Sequence, residues 1–186
     1  RVALSIRQSA KNEAIKMAAA AKTQAWLAEP VQRIGQGALS PVYILDVSQT
    51  KLDDISKVSV VATPEDITAL GFKVANEIAG LADDLSQIQD PQQLSSEQNE
   101  QQADPMQALA QQIAYDLIQA NKPLVVSGTS LSSIAIIEAA AQITQALTQK
   151  RAAIKATEQG QVKAHNDRVK AAQAQAQTTQ PEDDKE

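Results

Sequence analysis

The feature that most constrains the fold of this chain is a set of three short apolar runs that stand between helical stretches. They read PVYILDV (41–47), KVSVVAT (57–63) and PLVVSG (123–128). The first is rich in apolar residues and does not alternate cleanly with polar ones, a pattern that suits a strand covered on both faces. The sequence therefore predicts parallel strands in a sheet that lies between helices.

Helices are predicted on either side of these strands from the spacing of their apolar residues. Two of them have clear start signals, because Thr63 and Asp104 are capping residues, each followed by a proline at the first helical position. Glycines at positions 35 and 37 mark the end of an earlier helix. The predicted helices cover residues 1–22, 25–36, 64–80, 105–118 and 131–147.

The alternation of helix and strand predicts an open three-layer α/β/α sandwich, a Rossmann-like arrangement with right-handed crossovers. Three strands are fewer than a sheet of this kind usually contains, so we expect the missing strands in sequence outside this chain. The chain also begins at Arg1, without a methionine and inside a predicted helix. We therefore expect a piece of a longer protein that holds an incomplete α/β sandwich.

Composition divides the chain into four parts. Residues 1–80 and 105–149 carry the helices and strands of the predicted α/β domain. Between them, 81–104 is rich in Gln and Asp and is expected to be a disordered or loosely helical insert. Residues 150–186 are rich in Ala, Gln and charged residues, so we expect a tail that is helical by propensity or disordered and has little to bury. Its last residues, 178–186, are expected to be disordered.

Charge and cysteine content exclude several classes of function. The formal net charge of −5 provides no overall basic surface, which argues against a dedicated nucleic-acid binder. The chain has no cysteine, so it forms no disulfide and supplies no thiolate to an iron–sulfur cluster. No apolar run approaches the roughly 20 residues of a membrane span, and we expect no direct insertion into a membrane.

The loop SGTSLSS, between the third predicted strand and the last predicted helix, is the strongest candidate site. Small residues in this position can present backbone N–H groups to an anion at a helix N-terminus. A dinucleotide site needs more glycines and a nucleotide-phosphate loop needs a lysine, and both are missing here. We therefore favour a structural turn at Gly128 with Thr129 or Ser130 as the helix cap. The residues that could take part are Ser127, Gly128, Thr129, Ser130, Ser132 and Ser133.

The remaining polar residues give weaker signals. Asp46, Asp53 and Asp54 lie at or after a predicted strand end, where carboxylates could bind Mg²⁺ or transfer protons, but they also suit a helix start. His165 is the single histidine, stands in the polar tail and is expected to be solvated. The six Lys and Arg residues of 150–170 could contact an anionic surface, yet without aromatic residues a solvated helix is the preferred interpretation.

Several motifs together resemble one protein family. Trp26, QRIGQ, LDDI, PEDITALGF and KPLVVSGTS follow one another in the order and at about the separations found in the large iron–sulfur subunit (the G subunit) of bacterial NADH-quinone oxidoreductase, respiratory complex I. The resemblance covers roughly residues 1–80 and 106–148. It does not include the Gln-rich insert or the tail after about residue 150.

This resemblance implies a segment of the C-terminal part of the subunit, which is similar in fold to molybdopterin oxidoreductases. The parent protein would help to pass electrons from NADH to quinone through iron–sulfur clusters held upstream, and this segment would hold no cofactor, no metal and no catalytic residue. Its partners would be the upstream cluster domain and other peripheral-arm subunits, at the cytoplasmic face of the inner membrane. Two alternatives stay open: a small-ligand or nucleotide module that uses Asp46 and the SGTS loop (127–130), and an adaptor that works through its charged helices.

Overall fold

A computed structural model of the chain describes residues 2–91 and 104–178. The described part is mostly helical and contains two strands, β1 (Tyr43–Asp46) and β2 (Val58–Val61). Short 3₁₀ turns occur at Asp53–Ile55 and Leu85–Gln87. The helices are α1 (Val2–Ala10), α2 (Asn12–Ala20), α3 (Ala28–Gly35), α4 (Pro64–Gly80), α5 (Pro105–Gln119) and α6 (Ile134–Thr178).

The chain forms two compact units. The first unit consists of Arg1–Gly71 and Ser127–Ala139, and the second consists of Phe72–Val126 and Ala140–Glu186. The first therefore contains α1 to α3, the two strands and the first turns of α4 and α6. The second contains the remainder of α4 and α6 together with α5.

In the first unit, α2 packs closely against α3 because small residues meet at their contact. Gly35 on α3 lies so near Ala14 on α2 that a Cβ atom at position 35 would be 2.5 Å from the Ala14 Cβ atom. Ala18 and Val31 are buried in the same unit. Beyond the end of α3, Gln36 adopts a left-handed conformation, with φ 45°.

The helix predicted over residues 1–22 is divided at Lys11. The amide of Lys11 donates to the carbonyl of Gln8, three residues back, at 3.2 Å. The carbonyl of Ala10 accepts the amide of Ser40 at 2.7 Å. Because Ala10 bonds to a distant residue, the prediction of one continuous helix is wrong. The helix predicted over 25–36 is present but begins later, at Ala28.

The first two predicted strands are confirmed, and they pair in parallel as expected. Tyr43 lies opposite Val58 and Asp46 lies opposite Val61. The pairing is extended at both ends by hydrogen bonds from Lys57 N–H to the Val42 carbonyl at 2.8 Å and from Ala62 N–H to the Asp46 carbonyl at 3.1 Å. The structure thus contains a small parallel sheet that is compatible with a partial α/β fold.

The third predicted strand, 123–128, is not formed. Within the described residues the sheet has two strands, and 123–128 is neither helix nor strand. Ala120 leaves α5 in an extended conformation, with φ −64° and ψ 133°, but no neighbouring strand pairs with the residues that follow. A run of apolar and β-branched residues has the propensity for a strand, but a strand requires a partner to supply its ladder.

The core of the second unit lies between the second half of α4, α5 and α6. Its apolar residues recur three, four or seven positions apart and so occupy one face of each helix. Ile88, from the segment predicted as an insert, is buried as well, while 92–103 lie outside the described residues. The buried residues are Val74, Ala75, Ile78, Ile88, Ala110, Ile113, Ala114, Ile118, Leu147 and Ile154.

Helix α6 continues without interruption past residue 150, where a polar tail was expected to begin. Ile154 is only 5% exposed, so burial along this helix extends beyond that position. Of the predicted disordered end, 178–186, all but Thr178 lies outside the described residues, and Thr178 is the last residue of α6.

Two consecutive cations of α6 bind carbonyl groups at the C-terminal ends of the other helices of this unit. Lys150 Nζ donates to the Leu81 carbonyl and to Asp83 Oδ1, both at 2.7 Å, just beyond the end of α4. Arg151 donates to the carbonyls of Ala120 at 2.6 Å and Asn121 at 2.9 Å, just beyond the end of α5. A cation at a helix C-terminus also interacts favourably with the helix dipole.

The two predicted helix starts are confirmed. Thr63 Oγ1 accepts the amide of Asp66 at 3.2 Å at the start of α4. Asp104 Oδ1 accepts the amide of Met106 at 3.1 Å at the start of α5, where Pro105 occupies the first turn. Asp104 also pairs with Lys73 of α4 at 2.6 Å, so the cap of α5 is tied to a neighbouring helix.

Gly35→Ala is expected to destabilise the chain by about 1 to 3 kcal/mol, because the added methyl group overlaps Ala14. The measurement is the free energy of unfolding in urea. Gly160→Ala is the matched control, since a Cβ atom at that position in α6 meets nothing within 4 Å. The control is expected to be neutral or to stabilise by up to about 1 kcal/mol through helix propensity. Equal effects of the two substitutions would contradict close packing of α2 on α3.

Ile154→Ala is expected to cost about 2 to 5 kcal/mol of unfolding free energy, the range for a truncation in a packed core. Val162→Ala, eight residues further along α6, is the control because Val162 is 61% exposed. It is expected to change stability by less than about 0.5 kcal/mol. A negligible effect of Ile154→Ala in the same urea titration would show that the core stops before this residue.

Candidate functional site

The SGTSLSS loop forms a turn before α6 begins. The amide of Ser132 donates to the carbonyl of Thr129 at 3.0 Å, and Ser132 has a positive φ of 50°. This left-handed residue interrupts the helical backbone, so α6 starts at Ile134 instead of the predicted Leu131. The prediction that Thr129 or Ser130 caps the helix is therefore wrong, because Ser133 immediately precedes it.

The loop is open to solvent. Ser127, Gly128, Thr129 and Ser130 are all exposed, as is Ser132. An anion held by these groups would remain largely in water, where hydrogen bonds to it are weak relative to those inside a protein. The geometry fits a connecting turn, and the six candidate residues do not surround a common point that is shielded from water.

The three aspartates that were considered as a cluster are directed to different partners. Asp46 ends β1, and its Oδ1 accepts the amide of Val47 at 2.7 Å. Asp53 accepts the hydroxyl of Thr50 at 2.7 Å and the amide of Thr50 at 3.0 Å. Asp54 accepts both guanidinium nitrogens of Arg7, at 2.7 and 2.9 Å. The carboxylates are thus engaged separately and do not form a shared cation site.

The Arg7–Asp54 contact is the interaction that sequence reasoning missed. The bidentate geometry is the strongest form of an arginine–carboxylate pair. Arg7 also donates to the carbonyl of Lys51, so it holds the whole LDDI turn against α1. Nothing in the local sequence reveals this contact, since the two residues are 47 positions apart.

The pKa values of both turn aspartates are lowered by these hydrogen bonds. The Thr50 hydroxyl and amide lower the pKa of Asp53 below its usual range. The guanidinium of Arg7 does the same to the pKa of Asp54. In each case the bond favours the ionised carboxylate, whereas a general acid at neutral pH needs a raised pKa. These groups are therefore suited to structural pairing and not to proton donation.

No group of three or more His, Cys, Asp or Glu side chains in the described ranges is arranged to hold a metal ion. His165 lies on an exposed stretch of α6, so this part of the tail is helical, which is one of the two predicted states. The structure also changes the interpretation of the basic stretch 150–170, because Lys150 and Arg151 at its start donate hydrogen bonds to backbone carbonyls.

A shallow depression occurs on α6, but it offers little for ligand binding. It is lined by residues of one helix, Ala141, Thr144, Gln145, Thr148 and Gln149, and none of them is charged. A small-molecule site normally combines an enclosed apolar pocket with a few convergent polar groups.

Among the helices in residues 2–91 and 104–178, none has both the length and the apolar character needed to cross a membrane.

Comparison with known proteins gives a consistent result. No family model matches the chain. It is 44% identical over 147 residues to a protein of Pseudomonas putida, 43% identical to one of Pseudomonas fluorescens and 35% identical to one of Escherichia coli K12. Each match covers 79% of this chain and 15% of the relative, so the chain spans only a small part of the proteins it matches.

All three relatives are subunits of NADH-quinone oxidoreductase. The chain is therefore a segment of a respiratory complex I subunit. Each relative is the G subunit of that enzyme, and this chain belongs to the G-subunit family as one segment of it. The resemblance carried by LDDI, PEDITALGF and KPLVVSGTS is confirmed.

The lowered pKa of Asp54 leads to a pH-dependent prediction. A carboxylate whose folded pKa lies below its unfolded value of about 3.9 stabilises the fold at higher pH and loses that contribution as pH falls through the folded pKa. Asp54→Asn is therefore expected to lower the urea midpoint at pH 7 and to have a smaller effect near pH 3.

The control for this prediction is the same substitution in an Arg7→Ala background, which removes the partner of Asp54. There, Asp54→Asn is expected to have the same small effect at both pH values. A pH-dependent effect that persists without Arg7 would assign the lowered pKa to another cause.

Proposed function

We propose that the chain is a structural segment of the G subunit in a respiratory complex I. The observation that carries this proposal is the 35–44% identity to G-subunit proteins over 79% of the chain. The complete subunit would take part in electron transfer from NADH to quinone. This segment has no cysteine, so thiolate ligands for iron–sulfur clusters would come from elsewhere in the protein.

The structural role is supported by how the polar side chains are used. Arg7 and Asp54 hold a turn on α1, and Lys150 and Arg151 bind the carbonyls at two helix ends. Thr63 and Asp104 cap helices. These groups stabilise the fold, and we propose that the segment holds no redox centre and contributes no catalytic residue.

The fold of the complete domain is part of the same proposal. The two parallel strands and their flanking helices would belong to a three-layer α/β/α sandwich of the molybdopterin-oxidoreductase type, with its other strands supplied by the remainder of the protein. The segment would pack against the cluster-binding domain and neighbouring peripheral-arm subunits, at the cytoplasmic face of the inner membrane.

The proposal is tested with variants of the complete subunit, produced in the bacterium that encodes it. Ile78→Ala, at a fully buried position, is expected to destabilise the segment by about 2 to 5 kcal/mol. Membranes should then contain less assembled complex I. NADH-quinone reductase activity should fall in proportion, so that the turnover of each assembled complex is unchanged.

The matched variant removes the hydroxyls of the loop, with Ser130→Ala and Ser132→Ala together. Both positions are exposed, so the amount of complex and its turnover are expected to stay at the wild-type level. Lower turnover per assembled complex in this variant would contradict the structural role and favour ligand binding at the loop. Unchanged assembly and activity with Ile78→Ala would show that the complex does not depend on this segment.

A further inference from the structure

Gly160 is the one glycine in α6, and its position has neither of the usual structural reasons for glycine. A Cβ atom at position 160 would meet nothing within 4 Å, so the residue is not needed for close packing as Gly35 is. Its φ is not positive, so the backbone conformation does not require glycine either. Glycine destabilises a helix interior relative to alanine, because it loses more conformational freedom when the helix forms. The backbone of α6 is therefore intrinsically weak at this residue.

This weak point coincides with the place where α6 leaves the core of the second unit. Ile154 is 5% exposed and Thr157 is half-buried. From Val162 to Val169, all the side chains that the structure describes are exposed. Tertiary packing therefore holds the helix up to about residue 157, whereas beyond Gly160 the helix depends mainly on its own propensity.

Gln161, directly after this glycine, is bonded to the segment that follows α4. Its Nε2 atom donates to Asp84 Oδ2 at 3.1 Å. Asp84 belongs to the packed part of the unit, since Ile88 in the same segment is buried. The bond itself is exposed, so water competes for both groups and the bond opens easily.

We propose that Gly160 is a hinge in α6 and that the hydrogen bond between Gln161 and Asp84 is the latch that restrains it. The anchored part of the helix is 140–157, and the distal arm is 162–178. When the latch opens, the arm bends at Gly160 while the anchored part keeps its packing. The arm spans 17 residues, or about 25 Å, so a kink of about 20° moves its far end by about 9 Å.

Bending at this position uncovers no apolar core. Residues 158–161 are polar or glycine, and all four are exposed. The helix hydrogen bonds that open in a kink can be replaced there by bonds to water. The sequence of the arm is rich in Ala, Gln and Lys, which favour a helix, so the arm is expected to move as a helix without melting.

The test is the distance distribution between two spin labels, measured by double electron–electron resonance. The chain has no cysteine, so cysteines introduced for labelling are unique. One label is placed at Gln111, an exposed residue of α5, and the second at Val169 in the arm or at Lys155 in the anchored part. The Gln111–Val169 distribution is expected to be broader than the Gln111–Lys155 distribution by about 5 Å, the displacement of residue 169 in a 20° kink.

Two substitutions are expected to change this width in opposite directions. Gly160→Ala should narrow the Gln111–Val169 distribution to that of the reference pair, because alanine stiffens the helix. Gln161→Ala should broaden it further, because the latch is lost. Gln159→Ala is the matched control. It raises helix propensity equally, is exposed and lies outside the latch, so the width should stay as in the wild type.

Several results would overturn the proposal. Equal widths of the two label pairs in the wild type would show that there is no hinge. Broadening that survives Gly160→Ala would assign the motion to fraying of the helix end. Equal widths with Gln161→Ala and Gln159→Ala would exclude the latch. A reference pair that broadens together with the arm pair would place the motion in the packed part of the unit.

Amide hydrogen exchange in the complete subunit gives an independent readout that does not depend on electron transfer. The amides of 161–164 lie in the turn that follows Gly160. They are expected to exchange about fivefold more slowly with Gly160→Ala than in the wild type. Peptides around Ile113, in the buried face of α5, should not change. Unchanged exchange at 161–164 would overturn the hinge in the complete protein.

Discussion

Large apolar side chains are scarce in this chain, and the packing of both units reflects that scarcity. Aromatic residues make up 2% of the sequence, so no core can be filled by a few bulky rings. The first unit brings backbones close together instead, with Gly35 against Ala14. The second unit combines a modest set of Val, Ile and Leu residues with hydrogen bonds from Lys150 and Arg151 to the ends of two helices.

The use of polar side chains to stabilise the fold also explains why the described residues offer few groups for ligand binding or catalysis. In many proteins, carboxylates near strand ends and serines before a helix are free to bind ligands. Here Asp53 accepts hydrogen bonds from Thr50 in its own turn, and Asp54 accepts hydrogen bonds from Arg7 of α1. These bonds lower the pKa values of both carboxylates. The charges of these residues therefore stabilise the segment itself.

The structural features that could be predicted well from the sequence were those set by residues close together in the chain. The starts of α4 and α5 depend on a capping side chain and a proline within a few residues, so they could be inferred directly. The strands at 43–46 and 58–61 were found because they pair with each other inside the chain. The strand predicted at 123–128 failed for the opposite reason, because no strand of the described residues pairs with it. The contact of Arg7 with Asp54 joins residues far apart in sequence, and the positive φ of Ser132 has no signature in residue type.

The face of α6 that holds the second unit has a consequence for how this region can change in evolution. Leu147, Lys150, Arg151 and Ile154 recur at three- and four-residue intervals, so one stripe of the helix carries both the apolar contacts and the two cations. A single inserted residue upstream in the helix turns this stripe by about 100° and separates it from both helix ends at once. Length variation among relatives should therefore be rare within α6 before Ile154 and should collect outside the helices, where closing a longer loop costs little.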